Sequence, residues 1–420
     1  MSRRKADVEI LVVGDEILSG QTTDTNSSYA ARQLRAAGLE VTRVTEVGDR
    51  EEAIRSAAAE AIRRARVLLV TGGLGPTPDD LTKEAFATLF DDALQMDEPT
   101  LEEIRSRFAR RGLQMTENNR KQALLPRTAQ KIPNPVGSAP GVHWQREECD
   151  VFLLPGVPAE MRAMLDVEVI PRLRGRVATS AMQYAVFRTT ALPESEVAQR
   201  LQPEIEKRND LRWAFYPGRG SVDVHLAQSS GSAAAFGAAC DAVRKLLGAC
   251  LYSETPGESL AEVVVQLLTR HAHRIAVAES CTGGLLGARI TSVAGSSAVF
   301  VGGFVTYDNA AKRDWLAVPE ALLQRHGAVS AEVAVAMAQG ARERSGADIA
   351  VAITGIAGPT GGSEEKPIGL IYLALADAGA SWTRKLQLGP HRDLNRTFAA
   401  QLALDMVRRY ETGLPHGERT

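Results

Sequence analysis

The sequence has little of what would mark a secreted, a membrane or a polyanion-binding protein. Four cysteines among 420 residues form no C-x-x-C pair and no zinc-type spacing, so we expect reduced thiols in a cytoplasmic protein. No apolar run reaches the ~18 residues that a membrane-spanning helix needs, and the basic start passes directly into a predicted strand. The formal net charge of −2 argues against a nucleic-acid-binding surface over the whole molecule. We therefore expect neither a membrane nor a nucleic acid as a partner.

The length and the order of the predicted elements indicate an α/β protein with two or three domains of ~100–200 residues each. Strands over residues 8–13, 39–47 and 67–70 alternate with helices over 24–37 and 51–64, and this order predicts a parallel sheet with right-handed crossovers. Changes in the pattern divide the chain into residues 1–170, a small α+β domain over 171–252, and a second α/β block over 257–420. We expect the tail after residue 411 to be mobile.

The first chemically informative stretch is TGGLGPTPDDLTKE, residues 71–84, which joins a predicted strand to a predicted helix. Its glycines let the backbone approach a ligand closely, and amides at a helix start can receive an anion. Adjacent carboxylates beside a phosphate make electrostatic sense when a divalent cation lies between them. Asp15-Glu16 follows another strand at the same sheet edge. The stretch predicts a phosphate-and-metal loop, and the alternative is an ordinary turn with capping acids.

A second informative turn, AESCTGG at residues 278–284, follows the apolar strand RIAVA. It places Ser280 and Cys281 between a strand and a helix, with backbone N–H groups available as an oxyanion hole. No histidine lies in the neighbouring turns, so a partly desolvated Lys312 is the candidate base, with Tyr307 relaying or holding the proton. Two alternatives stay open at this point: Ser280 and Thr282 as helix N-caps, and Cys281 as the nucleophile.

The histidines are scattered, and His271 and His273 are the close pair. A spacing of two at a predicted helix end does not suggest convergence on a metal. We expect both to be solvated charges at a helix C-terminus.

These motifs together resemble the CinA family (competence/damage-inducible protein A) over nearly the full length. The first domain is similar to the molybdopterin-binding fold of the MoaB, MogA and MoeA proteins through GDEILSGQTTDTN, TGGLGPTPDDLTKE, ENNRKQALLP, NPVGSAPG and LPGVPAEM. The last domain resembles the stand-alone nicotinamide-nucleotide amidase through AESCTGG, GGFVTYDNAAK, HGAVS and ITGIAGPTGGSEEKPIG. The resemblance implies a three-layer α/β first domain, a KH-like α+β middle domain and an α/β amidase domain. The middle domain's loop Gly218-Arg219-Gly220 is not a GxxG clamp, so RNA binding is not supported.

The resemblance also implies two activities in pyridine-nucleotide salvage. The last domain would convert nicotinamide mononucleotide to nicotinate mononucleotide and ammonia without a cofactor. The first would split ADP-ribose into AMP and ribose 5-phosphate with a divalent metal ion, Mg²⁺ or Co²⁺ being candidates. A homodimer is the family's expected assembly. Two alternatives remain: an amidase whose first domain only binds a pterin or nucleotide, and a competence-linked interaction protein.

Site residues carry over from the resemblance by motif. Ser280 matches the nucleophile, with Tyr307 and Lys312 as its partners. Glu16 and Asp80 match the metal-holding carboxylates, and Asp79 is a second ligand or a helix cap. Residues expected to contact substrate are Thr282, Gly283, Gly284, Gly303, Gly355 and Gly358 in the last domain, and Gly72, Gly73, Gly75, Thr82, Lys83 and Asn119 in the first.

Overall fold

The computed structural model describes residues 6–146, 148–174, 183–228 and 231–420. The chain divides into two compact units, with the boundary between residues 182 and 183. A short helix, Ile170–Arg174, packs into the core of the first unit through Ile170 and Leu173. None of the helices within the described residues is long and apolar enough to cross a membrane.

The elements of the first unit confirm the alternation of strands and helices expected from the sequence. Two segments depart from regular α-helix: Glu117–Ala123 forms a 3₁₀ helix, and Leu165–Val169 forms a π-helical turn between two short α-helices. The strands are β1 Ala6–Val13, β2 Val41–Val47, β3 Ala65–Thr71, β4 Leu94–Met96, β5 Leu124–Pro126, β6 Gln130–Ile132, β7 Gly141–Arg146 and β8 Cys149–Leu154. The α-helices are α1 Asp15–Leu18, α2 Asn26–Ala36, α3 Glu51–Arg64, α4 Thr82–Leu89, α5 Glu98–Arg110, α6 Pro158–Met164 and α7 Ile170–Arg174.

The sheet of the first unit is parallel in its centre and antiparallel at one side. The described strands pair in the order β2-β1-β3-β8-β7-β6, with β2, β1, β3 and β8 parallel and β7 and β6 antiparallel. Side chains of β1 alternate between the two faces. Ile10 and Val12 join the core that includes Leu34 of α2, whereas Leu11 and Val13 join the core that includes Phe86 of α4. This arrangement makes a three-layer domain.

The second unit contains two sheets. The strands are β9 Gln183–Thr190, β10 Arg212–Pro217, β11 Ser221–Gln228, β12 Leu251–Ser253, β13 Ile275–Glu279, β14 Phe300–Val305, β15 Ile349–Gly355, β16 Leu370–Ala376, β17 Ser381–Gln387 and β18 Glu418–Arg419. The helices are α8 Glu194–Lys207, α9 Ala233–Leu247, α10 Leu260–His271, α11 Leu285–Thr291, α12 Asn309–Leu316, α13 Glu320–His326, α14 Ala331–Ser345 and α15 Arg392–Glu411.

The smaller sheet, β10-β11-β9-β12, is antiparallel and packs against α8 and α9. It is joined to the rest of the unit by polar contacts as well as by the chain. Arg408 of α15 donates to the carbonyl of Ala249 at 2.6 Å, and Gln401 donates to the hydroxyl of Thr190 at 3.3 Å. Residues 218–220, the loop that lacks the GxxG pattern of a clamp, connect the antiparallel strands β10 and β11.

The larger sheet has the order β14-β13-β15-β16-β17-β18, parallel across β14, β13 and β15 and antiparallel beyond. Successive residues of β13 again alternate between faces. Ile275 and Val277 pack against α10 and α15, while Ala276 and Ala278 pack against α14. The tail expected to be mobile instead adds β18 to the edge of the sheet, and His416 lies against the Trp382 ring. That expectation was wrong because a polar, glycine-containing sequence gives no sign of an available sheet edge.

A matched pair of helix glycines tests the packing. An added Cβ at Gly340 in α14 would collide with the carbonyl of Leu316, whereas Gly237 in α9 has open space around it. Gly237→Ala should raise the free energy of unfolding by about 0.5–1 kcal/mol through helix propensity. Gly340→Ala should lower it, by about 1–3 kcal/mol for an overpacked core. Denaturant unfolding measures both, and equal signs would contradict the packing of α12 against α14.

Candidate active sites

The turn that carries Ser280 is held between two strands and a short helix. Ser280 directly follows β13, and its N–H donates to the carbonyl of Ile353 in β15 at 2.9 Å. Helix α11 begins at Leu285, and its N-cap position, Gly284, makes no side-chain cap. Ser280 and Thr282 are therefore not helix N-caps, and Ser280 lies in the turn between the strand and the helix.

Glu279 fixes this turn, a role that the sequence analysis missed. Its side chain is buried and accepts backbone hydrogen bonds from Gly284, Leu286 and Gly287 at 2.8–3.1 Å. A strand-end acid followed within eight residues by two adjacent glycines was the available signal. The Glu279 carboxylate, at the end of β13, therefore satisfies the free N–H groups at the start of α11, as a helix N-cap side chain would.

The buried Lys312 amine lies beside the Ser280 hydroxyl. Lys312 is about 1% exposed, and its Nζ is 3.1 Å from the Oγ of Ser280. The same amine donates to the carbonyls of Thr306 at 2.8 Å and Tyr307 at 3.1 Å. Burial lowers the pKa of Lys312, although Asp308 acts in the opposite direction. In the neutral amine, two hydrogens can serve the two carbonyls while the lone pair faces the Ser280 hydroxyl.

Tyr307 takes a different position from the one expected. Its side chain is 61% exposed, and its hydroxyl accepts a hydrogen bond from Arg392 at 3.3 Å. Tyr307 meets Lys312 through its backbone carbonyl. The geometry therefore does not provide the expected proton relay through the Tyr307 hydroxyl. Instead the exposed Tyr307 side chain extends to Arg392.

Cys281, the alternative nucleophile, lies on the apolar side of the turn. It belongs to the core cluster that includes Val277 and Ile353. Burial raises the pKa of its thiol to about 12. The thiol is therefore protonated near neutral pH and is a poor nucleophile.

The backbone donors of the turn are partly used by the protein itself. The Gly283 N–H donates to the Ser280 carbonyl at 3.1 Å, and the Gly284 N–H is bound by Glu279. The expected oxyanion donor at Gly283 is therefore engaged, and the N–H groups of Cys281 and Thr282 become the better candidates. Within the described residues, the buried Thr282 hydroxyl has no hydrogen-bond partner.

The glycines expected to contact substrate have several local roles. Gly283 and Gly284 adopt φ values of 60° and 92°, which favour glycine in this turn. A Cβ at Gly303 would come within 2.8 Å of Val277, and one at Gly355 within 2.6 Å of Ile371, so both permit close packing of strands. The carbonyl of Gly358 accepts a hydrogen bond from Arg392 at 2.9 Å.

Two arginines at the start of α15 border the same turn and were missed from the sequence. Arg392 bridges the Gly358 carbonyl and the Tyr307 hydroxyl, and Arg396 donates to the Thr282 carbonyl at 2.9 Å. Arg392 is exposed, so its guanidinium is available to an anion as well. The partners lie 34 to 114 residues away along the chain, so no local sequence pattern indicates these contacts.

The candidate site of the first unit is a cavity of about 420 Å³ at the carboxyl ends of β1, β3 and β8. This is the sheet edge at which ligands bind in open α/β folds. The residues expected here that do line it are Gly72, Gly73, Gly75, Asn119, Glu16, Asp79 and Asp80.

Carboxylates dominate the polar part of this cavity. Asp49 and Glu160, which the sequence analysis did not select, line it with the expected Glu16, Asp79 and Asp80. Burial, with the nearby charges of Glu16 and Asp79, raises the pKa of Asp49. Helix α4 begins at Thr82 without a side-chain cap, so Asp79 is not its cap. Several hard oxygen donors around one cavity fit a divalent cation of the Mg²⁺ type.

The expected metal ligands do not form a tight cluster in this structure. Within the described residues, Glu16, Asp79 and Asp80 do not bring their carboxylate oxygens within 4.8 Å of one another. Asp80 instead accepts a hydrogen bond from the Thr77 N–H at 2.8 Å.

Thr82 and Lys83 are internal to the fold and do not line the cavity. The Thr82 hydroxyl donates to the Gly72 carbonyl at 2.9 Å, which closes the loop. The amine of Lys83 donates to the carbonyls of Lys121, Gln122 and Leu124 at 2.9–3.1 Å. Burial lowers the pKa of Lys83 to about 8. Their expected contact with substrate is therefore replaced by a structural role. A polar residue beside a glycine-rich loop gives no signal to separate the two roles.

Comparisons with known proteins place the chain in a family. A model of the CinA C-terminal domain matches residues 257–410, and one of a probable molybdopterin binding domain matches residues 9–175. The CinA-like protein of Citrifermentans bemidjiense is 42% identical over 404 residues, which cover 96% of this chain and 97% of that protein. The chain belongs to the CinA family.

Other CinA relatives agree. The CinA-like protein of Geobacter sulfurreducens is 42% identical over 408 residues, covering 96% of this chain and 98% of that protein. Among solved structures, the competence/damage inducible protein CihA from Agrobacterium tumefaciens is 46% identical, over 37% of this chain and 96% of that one, with a TM-score of 0.35. The family resemblance and the mixed α/β fold class are confirmed. The domain limits and site residues stay predictions.

The capping carboxylate of the CinA C-terminal domain yields a stability test. Glu279→Gln keeps the shape but turns one acceptor oxygen into a donor group that faces N–H donors. We expect a loss of about 1–3 kcal/mol in the free energy of unfolding. Glu320→Gln, which alters an exposed ion pair with Arg313, should change it little. Similar values for the two variants in denaturant unfolding would argue against the capping role.

Proposed function

We propose that the CinA C-terminal domain hydrolyses the carboxamide of nicotinamide mononucleotide to nicotinate mononucleotide and ammonia. The observation that carries this proposal is the 3.1 Å contact between the buried Lys312 amine and the Ser280 hydroxyl. A serine needs a base to attack an amide, and a lysine whose pKa burial lowers can act as one.

The chain's residues divide the chemistry as follows. Lys312 accepts the proton of Ser280 as its Oγ forms a bond to the carboxamide carbon. The N–H groups of Cys281 and Thr282 stabilise the oxyanion. Protonated Lys312 then returns the proton to the departing nitrogen, so ammonia leaves and an ester remains on Ser280. Water hydrolyses the ester in a second, equivalent step.

A phosphate-bearing aromatic amide fits the surroundings of this dyad. Arg392 and Arg396 provide guanidinium groups next to the turn, and these bind phosphate well. The exposed Tyr307 ring at the same place offers a stacking surface for a pyridine ring. Tyr307 thus serves as a substrate contact in this proposal.

The amidase proposal is tested by substitution at the dyad. Ser280→Ala should lower kcat on nicotinamide mononucleotide by about 10⁴–10⁶-fold, and Lys312→Met by at least about 10²-fold. Cys281→Ser should keep near-normal turnover. Ammonia release measures all three, and an active Ser280→Ala or an inactive, folded Cys281→Ser would overturn the assignment.

The same dyad determines the dependence on pH. Since burial lowers the pKa of Lys312 in the folded protein, the neutral base is absent well below that pKa and accumulates as the pH rises through it. Wild-type kcat should therefore rise with pH over this titration and then level. A kcat that falls over the same interval would contradict a lysine base.

We also propose that the first unit hydrolyses ADP-ribose to AMP and ribose 5-phosphate with a divalent cation, Mg²⁺ or Co²⁺. The carboxylates of Glu16, Asp79 and Asp80 around the 420 Å³ cavity support this second function. These residues and Asp49 would hold the ion. When bound, it would polarise a phosphoryl oxygen and offset charge in the transition state. The glycines of the loop allow the pyrophosphate to approach the backbone.

Substitution of Asp80 separates the two proposals. Asp80→Asn should abolish metal-dependent ADP-ribose cleavage while nicotinamide mononucleotide deamidation is retained, because the two sites lie in different units. Glu102→Gln, an exposed carboxylate paired with Arg105, should leave both activities unchanged. EDTA should remove ADP-ribose cleavage and leave deamidation intact. Wild-type protein that binds ADP-ribose without cleaving it would instead favour a binding domain.

A further inference from the structure

We propose a zinc site formed by His271, His273 and Glu411 in the second unit. His271 Nδ1 lies 2.6 Å from the carboxylate of Glu411, and His273 Nδ1 lies 3.0 and 3.2 Å from its two oxygens. The three candidate ligand atoms all lie within 4.8 Å of one another. The two histidines, expected to be solvated charges at a helix C-terminus, are partly exposed as expected but share a buried carboxylate partner that the sequence did not indicate.

The chain brings these residues together from two helix ends. His271 is the last residue of α10, and Ala272, with φ 55° and ψ 30°, turns the chain in the left-handed conformation before His273. Glu411 is the last residue of α15. Two histidines and one distant acid therefore converge only in the folded protein, and an ion bound there would tie the two helix ends together.

The donor set indicates the class of metal. Two imidazoles and one carboxylate match the ligands that Zn²⁺ takes in three-residue sites, whereas Mg²⁺ and Ca²⁺ prefer oxygen alone. Bond lengths of ~2.0–2.2 Å put neighbouring ligand atoms of a tetrahedral ion about 3.3 Å apart. The present nitrogen–oxygen distances of 2.6–3.2 Å need to lengthen by about 0.1–0.7 Å to reach this spacing.

Exposure and charge favour entry of a cation. The side chain of Glu411 is 1% exposed, while those of His271 and His273 are 37% and 38% exposed, so one side of the site reaches solvent. His273 also lines a cavity of about 610 Å³ together with Glu343, Asp348, Asp377 and Arg342. The three carboxylates outnumber the one guanidinium, so the approach is net negative, and water from this side can complete the coordination.

Zinc titration of the full-length protein tests the site. Chelator-stripped protein receives ZnCl₂ alone, and bound zinc is measured by competition with a chromophoric chelator. The double variant His271→Asn/His273→Asn should lose one equivalent of zinc. Each single variant should weaken zinc binding at least about tenfold, since even outer-shell partners of a metal contribute 10–100-fold. His326→Asn removes a histidine that faces one carboxylate, Glu332, and should keep the full stoichiometry.

The proposed cation site of the first unit must be separated from this one. In an Asp80→Asn background, the zinc equivalent assigned to the histidines should remain, and the double histidine variant should remove it. Unchanged stoichiometry on adding the histidine substitutions would overturn the zinc site without bearing on the two proposed activities. Excess Mg²⁺ should not displace this equivalent.

A spectroscopic measurement avoids dependence on the variants' folding. Co²⁺ bound by the wild-type protein in place of zinc should give the visible absorption of a four-coordinate ion with imidazole ligands, and Zn²⁺ should remove it. Absorption of a six-coordinate, oxygen-bound Co²⁺ ion alone would contradict the proposal.

Discussion

The burial of one lysine amine governs the candidate amidase site. A primary amine 1% exposed to solvent is costly as an ammonium ion, and its three polar contacts are to neutral oxygens: Ser280 Oγ and the carbonyls of Thr306 and Tyr307. None of these three contacts brings a carboxylate to the Lys312 amine, where a negative charge would stabilise the protonated form. Asp308 acts only from a distance, and Glu279, the nearest acid along the strand, is saturated by backbone N–H groups. Burial without a charged partner in contact therefore lowers the pKa of Lys312 below its ordinary value, which favours its role as a base.

Both candidate sites lie at the carboxyl ends of parallel strands. In each unit, parallel strands end at one edge, and the turns after them supply the chemistry: Glu16 and the glycine loop after β1 and β3, and Ser280 after β13. The antiparallel strands added on one side of each sheet contribute packing and length. The parallel strand order therefore brings the functional turns to one edge of each sheet. Helices on both faces of the sheet keep water from the strands that carry these turns.

The sequence predicted the local elements and turns better than the long-range contacts. The strands over β1, β3 and β13, the glycine turns and the Ser280–Lys312 pairing followed from periodicity, turn residues and the need for a base. Pairings across the chain did not: Arg396 with Thr282, 114 residues apart, and His271 with Glu411, 140 residues apart, have no local signature. Lys83 shows the opposite error, in which a local motif suggests a role that long-range contacts exclude. A lysine in a loop motif is typical of a ligand-binding cation, but the Lys83 amine is bound by three backbone carbonyls.

The two units meet the same electrostatic problem in opposite ways. Nucleotide substrates carry phosphate, and each proposed site must accommodate that charge. In the second unit, the guanidinium groups of Arg392 and Arg396 border the turn that carries the serine, and the Glu279 carboxylate is bound by backbone N–H groups. The first unit lines its cavity with carboxylates, which repel phosphate unless a divalent ion intervenes. Under the two proposals, phosphate enters the candidate amidase site without a metal, whereas the cavity of the first unit accepts phosphate only with an ion bound.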